Sequence, residues 1–222
     1  MKKIIALISI IALTTSCKKH TNKSESNLTN EISIAESIAL AHGIENWKKV
    51  SEIQFTFNID RDSSHFSRAW TWKPKTGDVS LITNEDSISY NRESIDSTSL
   101  QADKAFINDK YWLLAPFQII WDNVDYISIP LQPAPISKQL MNKITITYSN
   151  EGGYTPGDAY DFYFDKDYLI KEWVFRQANS EKPTLLTTWE NYKEFNGLKI
   201  CLDHKKAEGN WKLYFTDVII LE

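Results

Sequence analysis

Long hydrophobic runs are scarce in this chain of 222 residues. One of the longest, residues 4–13, is apolar save for Ser9 and spans ten residues, about half of what a membrane-crossing helix needs. Glycine and proline are also few, seven of each, and no internal repeat occurs, which sets aside low-complexity and repeat architectures. Basic residues do not predominate: 25 Lys and Arg stand against 29 Asp and Glu. The basic footprint of a nucleic-acid binder is therefore missing. The four histidines, His20, His42, His65 and His204, lie far apart without metal-ligand spacing, so no metal site is expected. No G-x-S-x-G, P-loop or H-E-x-x-H motif is present, and neither a cofactor nor a catalytic residue is assigned.

What is present begins at the N-terminus. Met1-Lys2-Lys3 is a positive lead, residues 4–13 form an apolar core, and Leu13-Thr14-Thr15-Ser16-Cys17 closes it. That arrangement reads as a secretory signal over residues 1–16. A small residue before a cysteine at this distance resembles a bacterial lipobox, which implies that Cys17 is acylated and becomes the N-terminus. Residues 17–32 are polar and without apolar period, as suits a flexible lipidated tether, and residues 33–222 form the folded domain. Lys18-Lys19 lacks the Asp of an inner-membrane retention signal, which points to the cell envelope and a periplasm-facing outer-membrane lipoprotein. With Cys17 acylated, Cys201 has no partner in the chain, and the fold cannot rest on a disulfide.

Within the domain, residues 33–42 have Ile34, Ile38 and Ala41 at helical spacing, with Gly43 placed to stop the helix. From residue 52 the period falls to two: Ile53, Phe55, Phe57 and Ile59 alternate with polar residues. Strands follow over residues 66–73, 79–83 and 87–90. Residues 99–108 and 110–122 read as a pair of helices broken at Pro116. A short strand at 124–129 leads into an extended crossing with Pro130, Pro133 and Pro135. Alternation then returns over residues 144–148, 160–164, 169–175, 185–191, 198–204 after an Asn196-Gly197 hairpin turn, and 211–221. The fold class is mainly β with some α: about ten antiparallel strands, an N-terminal helix and a central helical insert.

One face of the strands carries Phe55, Phe57, Trp70, Trp72, Tyr160, Phe162, Phe164, Trp173 and Phe175, which either form a core beneath the helices or line an apolar concavity. Trp112, Leu113, Leu114 and Phe117 of the insert either pack as a buried helix or act as a lid over it. Asp158, Asp161, Asp165 and Asp167 cluster closely but lack a calcium-loop pattern, and Asp161 and Asp165 fall on the solvent-facing register.

The order of helix, four strands, helical insert and further strands resembles the LolA/LolB-like lipoprotein-carrier superfamily, as found in Bacteroidetes-type lipoproteins. Tyr160 to Asp165 followed by Leu169-Ile170-Lys171, and the stretch at residues 192–200, carry the likeness. The resemblance implies a curved antiparallel sheet forming an incomplete barrel, with the helices covering its open side. No position matches the exposed hydrophobic loop residue of a LolB-type receptor. The expected function is a lipid-anchored periplasmic binding protein that holds an acyl chain or a lipidated partner, tied to the membrane through Cys17. Two other readings stay open: a saccharide- or protein-binding lipoprotein using surface Trp, and a hydrolase using an Asp/Glu pair, which only distance in space defines.

Overall fold

The computed structural model describes residues 32–122 and 124–222. Cys17, the signal at residues 1–16 and all but the last residue of the tether lie outside the described residues.

Helix α1 (Ile34–Ala41) opens with a capping box. Ser33 Oγ accepts from the Glu36 amide, and the Glu36 carboxylate accepts from the Ser33 amide. These bonds to Ser33 hold the Glu36 carboxyl below its usual range. The helix stops at Gly43, which takes φ +89° as residue spacing predicts, and a 3₁₀ turn (Ile44–Lys49) follows.

Among the described residues twelve antiparallel strands form the wall. Strands β1 (Glu52–Arg61), β2 (Ser64–Lys73), β3 (Asp78–Ile82) and β4 (Ser87–Asn91) are a meander. After the helical insert come β5 (Asp125–Pro133), β6 (Leu140–Thr147), β7 (Ala159–Phe164) and β8 (Ile170–Arg176). The chain closes with β9 (Leu185–Thr188), β10 (Glu190–Phe195), β11 (Leu198–Lys205) and β12 (Lys212–Leu221). Seven strands pair in the order β10-β11-β12-β1-β2-β3-β4, and five in the order β5-β6-β7-β8-β9. Only Trp189 separates β9 from β10. Its amide donates to the Lys171 carbonyl (2.7 Å), and the Lys205 amide donates to Thr188 Oγ1 (3.2 Å). One strand thus leaves the smaller sheet and enters the larger, folding the two into a continuous trough. β4 and β5 remain as edges, so the barrel is incomplete.

Helix α2 (Leu100–Trp121) lies across the open side. The expected pair of helices is one helix with a bend, where Leu114 departs from helical geometry (φ −122°, ψ 17°). Pro116 has no amide to donate and crowds the carbonyl four residues earlier, which accounts for the bend. Residues 112–119 are buried all round, as expected for a helix enclosed by a sheet. One hydrophobic cluster joins both sheets to both helices.

Two strand boundaries differ from the periodicity. β5 continues through Pro130 to Pro133 by a register shift between Ile129 and Gln132, with Leu131 at φ +47°. An edge strand tolerates this because proline need not donate outward. The segment read as one strand over 185–191 is divided at Trp189 by the passage between sheets.

Candidate functional site

Two buried carboxylates on α2 fix its place over the trough. Asp109 accepts from Arg68 Nε (2.6 Å) and Nη2 (2.7 Å), and from Trp70 Nε1 (2.8 Å). Asp103 accepts from Arg92 Nε (2.8 Å), Tyr90 OH (3.1 Å) and Tyr154 OH (2.8 Å). All of these partners except Tyr154 belong to β2, β4 or the turn after it, so the ionic anchoring of α2 is one-sided. Towards β7 and β8 the helix meets rings instead. Tyr111 lies on Tyr160 (4.8 Å between centroids) and Trp112 on Trp173 (4.1 Å).

On that second side the packing leaves a cavity of about 310 Å³. Phe57 and Ile59 of β1, Leu213 of β12, Tyr160 of β7, Trp173 and Phe175 of β8 and Leu185 of β9 form its wall, and Ile107, Tyr111 and Trp112 of α2 form its roof. Trp211, Tyr154 and Thr155 close the ends, and Lys104 and Asn108 are its polar neighbours on α2. No aspartate or glutamate lines it. Burial pushes the Tyr111 and Tyr160 phenols up, so both stay neutral.

Of the residues singled out by alternation, Phe57, Tyr160, Trp173 and Phe175 line this cavity. Phe55, Trp70, Trp72, Phe162 and Phe164 share the concave face but are buried in the core away from it. The cross-strand register explains the common face: Phe55 pairs with Trp70, Tyr160 with Phe175, and Phe162 with Trp173. Within the insert, Trp112 lines the cavity, whereas Leu113, Leu114 and Phe117 are fully enclosed in the core. Periodicity did not single out Ile107, Tyr111, Tyr154, Leu185, Trp211 or Leu213. Leu213 and Leu185 sit on strands whose inward register was readable, while Tyr154 belongs to a loop without any pattern.

A second cavity, of about 420 Å³, adjoins the first. Ile107, Tyr111, Tyr154 and Thr155 line both. The rest of its wall includes Lys110, Gln118, Trp121 and Asp122 of the helix end, with Tyr148, Ser149, Glu151, Gly152 and Gly153 of the β6–β7 connection. Asp122 accepts from Tyr148 OH at 2.6 Å. The 149–157 connection thus straps over α2 between the two cavities, with Tyr154 bonded to Asp103.

The eight tryptophans are buried or half-buried, none of them exposed, so no tryptophan platform faces solvent. The acidic cluster is engaged within the fold. Asp158 accepts from the Ala178 amide (2.8 Å), and Asp165 from the Asp167 and Leu169 amides and from Lys171. Asp161, expected to face solvent, is only 8% exposed. It lies on the outer face of β7, where Arg176 and Thr145 cover it.

No family model and no curated protein matches the chain. Among solved structures it is similar to a LolA superfamily protein from Nitrosomonas europaea, at 11% identity and a TM-score of 0.47, covering 85% of this chain and 94% of that one. It is also similar to a DUF1329 family protein from Desulfovibrio piger, at 10% identity and a TM-score of 0.47 over 84% and 92% of the two chains. A domain of Vibrio parahaemolyticus described as outer membrane lipoprotein-sorting gives 10% identity and a TM-score of 0.47 over 86% and 92%.

Proposed function

We propose that this protein binds a single acyl chain, free or carried by a partner, in the cavity beneath α2, and that acylated Cys17 holds it at the envelope membrane on the periplasmic side. The observation that carries this reading is the cavity itself: walled by aromatic and aliphatic side chains, with no carboxylate among its described lining. Its volume of about 310 Å³ is near the lower end of ligand sites, which run from about 300 to 1,000 Å³. That is room for one chain, not a bundle. Each methylene taken from water contributes about 0.8 kcal/mol, so about ten of them supply a gross 8 kcal/mol, from which the cost of association is subtracted.

Ile107 lies over the cavity and is half-buried, so a larger side chain there fills the space from the roof. Ile107→Trp is expected to abolish displacement of a fluorescent fatty acid while the melting temperature stays close to that of the parent. An Ile107→Trp protein that binds as the parent does would remove the reading. The anchor is tested separately. Labelled palmitate fed to cells is expected to enter the protein, and to be lost in Cys17→Ser.

A further inference from the structure

Among the described residues six ionisable side chains of Asp, Glu and Lys are almost wholly buried: Asp103, Asp109, Asp158, Asp161, Glu172 and Lys110. Buried charges are ordinarily paired or hydrogen-bonded. The five carboxylates obey this rule. Asp103, Asp109 and Asp161 meet Arg92, Arg68 and Arg176, Asp158 takes the Ala178 amide, and Glu172 takes the amides of Ile136 and Ser137 at 2.7 and 2.8 Å. Lys110 does not. It is 8% exposed, and among the described residues its ammonium makes neither a hydrogen bond nor an ion pair. Among the described residues it meets the face of Trp72, 5.5 Å from the ring centroid, an attraction that does not replace a counter-ion.

The place of this amine matters as much as its isolation. Lys110 lines the second cavity, and that cavity shares Ile107, Tyr111, Tyr154 and Thr155 with the apolar one. A chain lying along Ile107 and Tyr111 therefore ends beside Lys110, next to the amide of Gln118 and the hydroxyl of Ser149. Asp122 and Glu151 line the same space, which disfavours a doubly charged group. Asp122 is occupied by the Tyr148 hydroxyl, and Glu151 is exposed.

We propose that the ligand is a single-chain amphiphile with a monovalent anionic head, a long-chain carboxylate, its chain in the apolar cavity and its head against the Lys110 ammonium. This rests on the acyl-chain reading above and narrows it to one ligand class.

Burial pushes the Lys110 amine down to about 8; Arg92 adds to the effect, and Asp122 and Asp103 oppose it. An anion beside it favours the charged form and raises the value again. Carboxylate binding is thus strongest below about pH 8 and weakens above it. The other groups facing this space are Glu151 and the phenols of Tyr111, Tyr148 and Tyr154, and burial raises all three phenols.

Laurate and dodecanol, which differ only in the head, provide the test on the whole protein. At pH 7 displacement titrations are expected to give laurate at least tenfold tighter binding than dodecanol, and the gap is expected to close towards pH 10. Lys110→Met should bind both alike, and Lys110→Arg should keep the preference. Met keeps the apolar stem of the lysine and adds no polar group to the packing, so the variant is expected to melt no lower than the parent. Equal binding of the two compounds to the parent protein, or a preference that survives Lys110→Met, would overturn the Lys110 assignment and leave the acyl-chain reading standing. Failure of both compounds to bind would remove both.

Discussion

His204 sits among the rings of Trp112, Trp189 and Phe215 with no accessible surface, and neither ring nitrogen has a hydrogen-bond partner among the described residues. Burial pushes its pKa down to about 3. His42, equally enclosed but bonded to the Ile38 carbonyl and the Tyr192 hydroxyl, is pushed down to about 4, again chiefly by burial. Below pH 6.5 the unfolded chain takes up a proton on each imidazole and the folded chain does not, so stability is full above that pH and falls as the pH drops. At pH 5 each histidine costs about 2 kcal/mol, taking 1.36 kcal/mol per pH unit. Urea unfolding is therefore expected to show declining stability from pH 7 to pH 5, and His204→Phe to remove about 2 kcal/mol of that decline. An undiminished decline in His204→Phe would mean that the ring titrates freely in the folded protein. The same scale shows what the sequence could reveal. Phe57, Tyr160, Trp173 and Phe175 announce their inward face by strict alternation. Lys110 gives no such sign: it stands at the head of an apolar run, and its burial comes from packing against Trp72 and from a loop some forty residues away in the chain.

Elements dock through backbone as much as through side chains. The stop of α1 is pressed onto the turn between β10 and β11. The Lys199 amide donates to the His42 carbonyl (2.9 Å), Asn46 Nδ2 donates to the Gly197 carbonyl (3.2 Å), and a β-carbon on Gly43 would lie 1.9 Å from that same carbonyl oxygen. Gly152 provides the contrast, since at φ +79° it has nothing within 4 Å of such an atom. Gly152→Ala should thus cost only the left-handed backbone, about 1–2 kcal/mol. Gly43→Ala meets the backbone clash as well and is expected to cost more than about 2 kcal/mol, a difference that parallel urea titrations resolve. Equal costs at the two positions would show that α1 can retreat from the turn. The helix stop at Gly43 and the Asn196-Gly197 turn were each legible locally. Their contact was not, because no local pattern encodes which turn a helix end will meet. In α2, likewise, Pro116 marked a break, but only the enclosing trough explains why the chain continues as one bent helix.

For the molecule as a whole, the strand order along the chain was readable and its closure was not. The bend at Trp189 turns what alternation shows as one strand into the seam between two sheets. The trough that results is roofed by a helix held ionically on one side only. Arg68 and Arg92 tie α2 towards β2 and β4, whereas its contacts with β7 and β8 are tilted aromatic rings, which can part without stranding a charge. On that freer side two tyrosine hydroxyls of the β6–β7 connection tie the helix, Tyr148 to Asp122 at its end and Tyr154 of the strap to Asp103. Tyr154 and Thr155 line both cavities, so lifting the strap widens the opening between them and the path to the roof. A neutral hydrogen bond to a charged acceptor is worth about 1.5–3 kcal/mol, and its removal favours the open form by up to that amount. Tyr154→Phe is accordingly expected to speed both association and dissociation of a fluorescent fatty acid by several-fold in stopped-flow traces, with a much smaller change in Kd. Amide exchange over residues 149–157 should quicken in the same variant without ligand. If exchange quickens while both rates stay fixed, the strap is mobile but the ligand enters elsewhere, and the gate must be sought where Tyr111 and Trp112 meet the rings of β7 and β8.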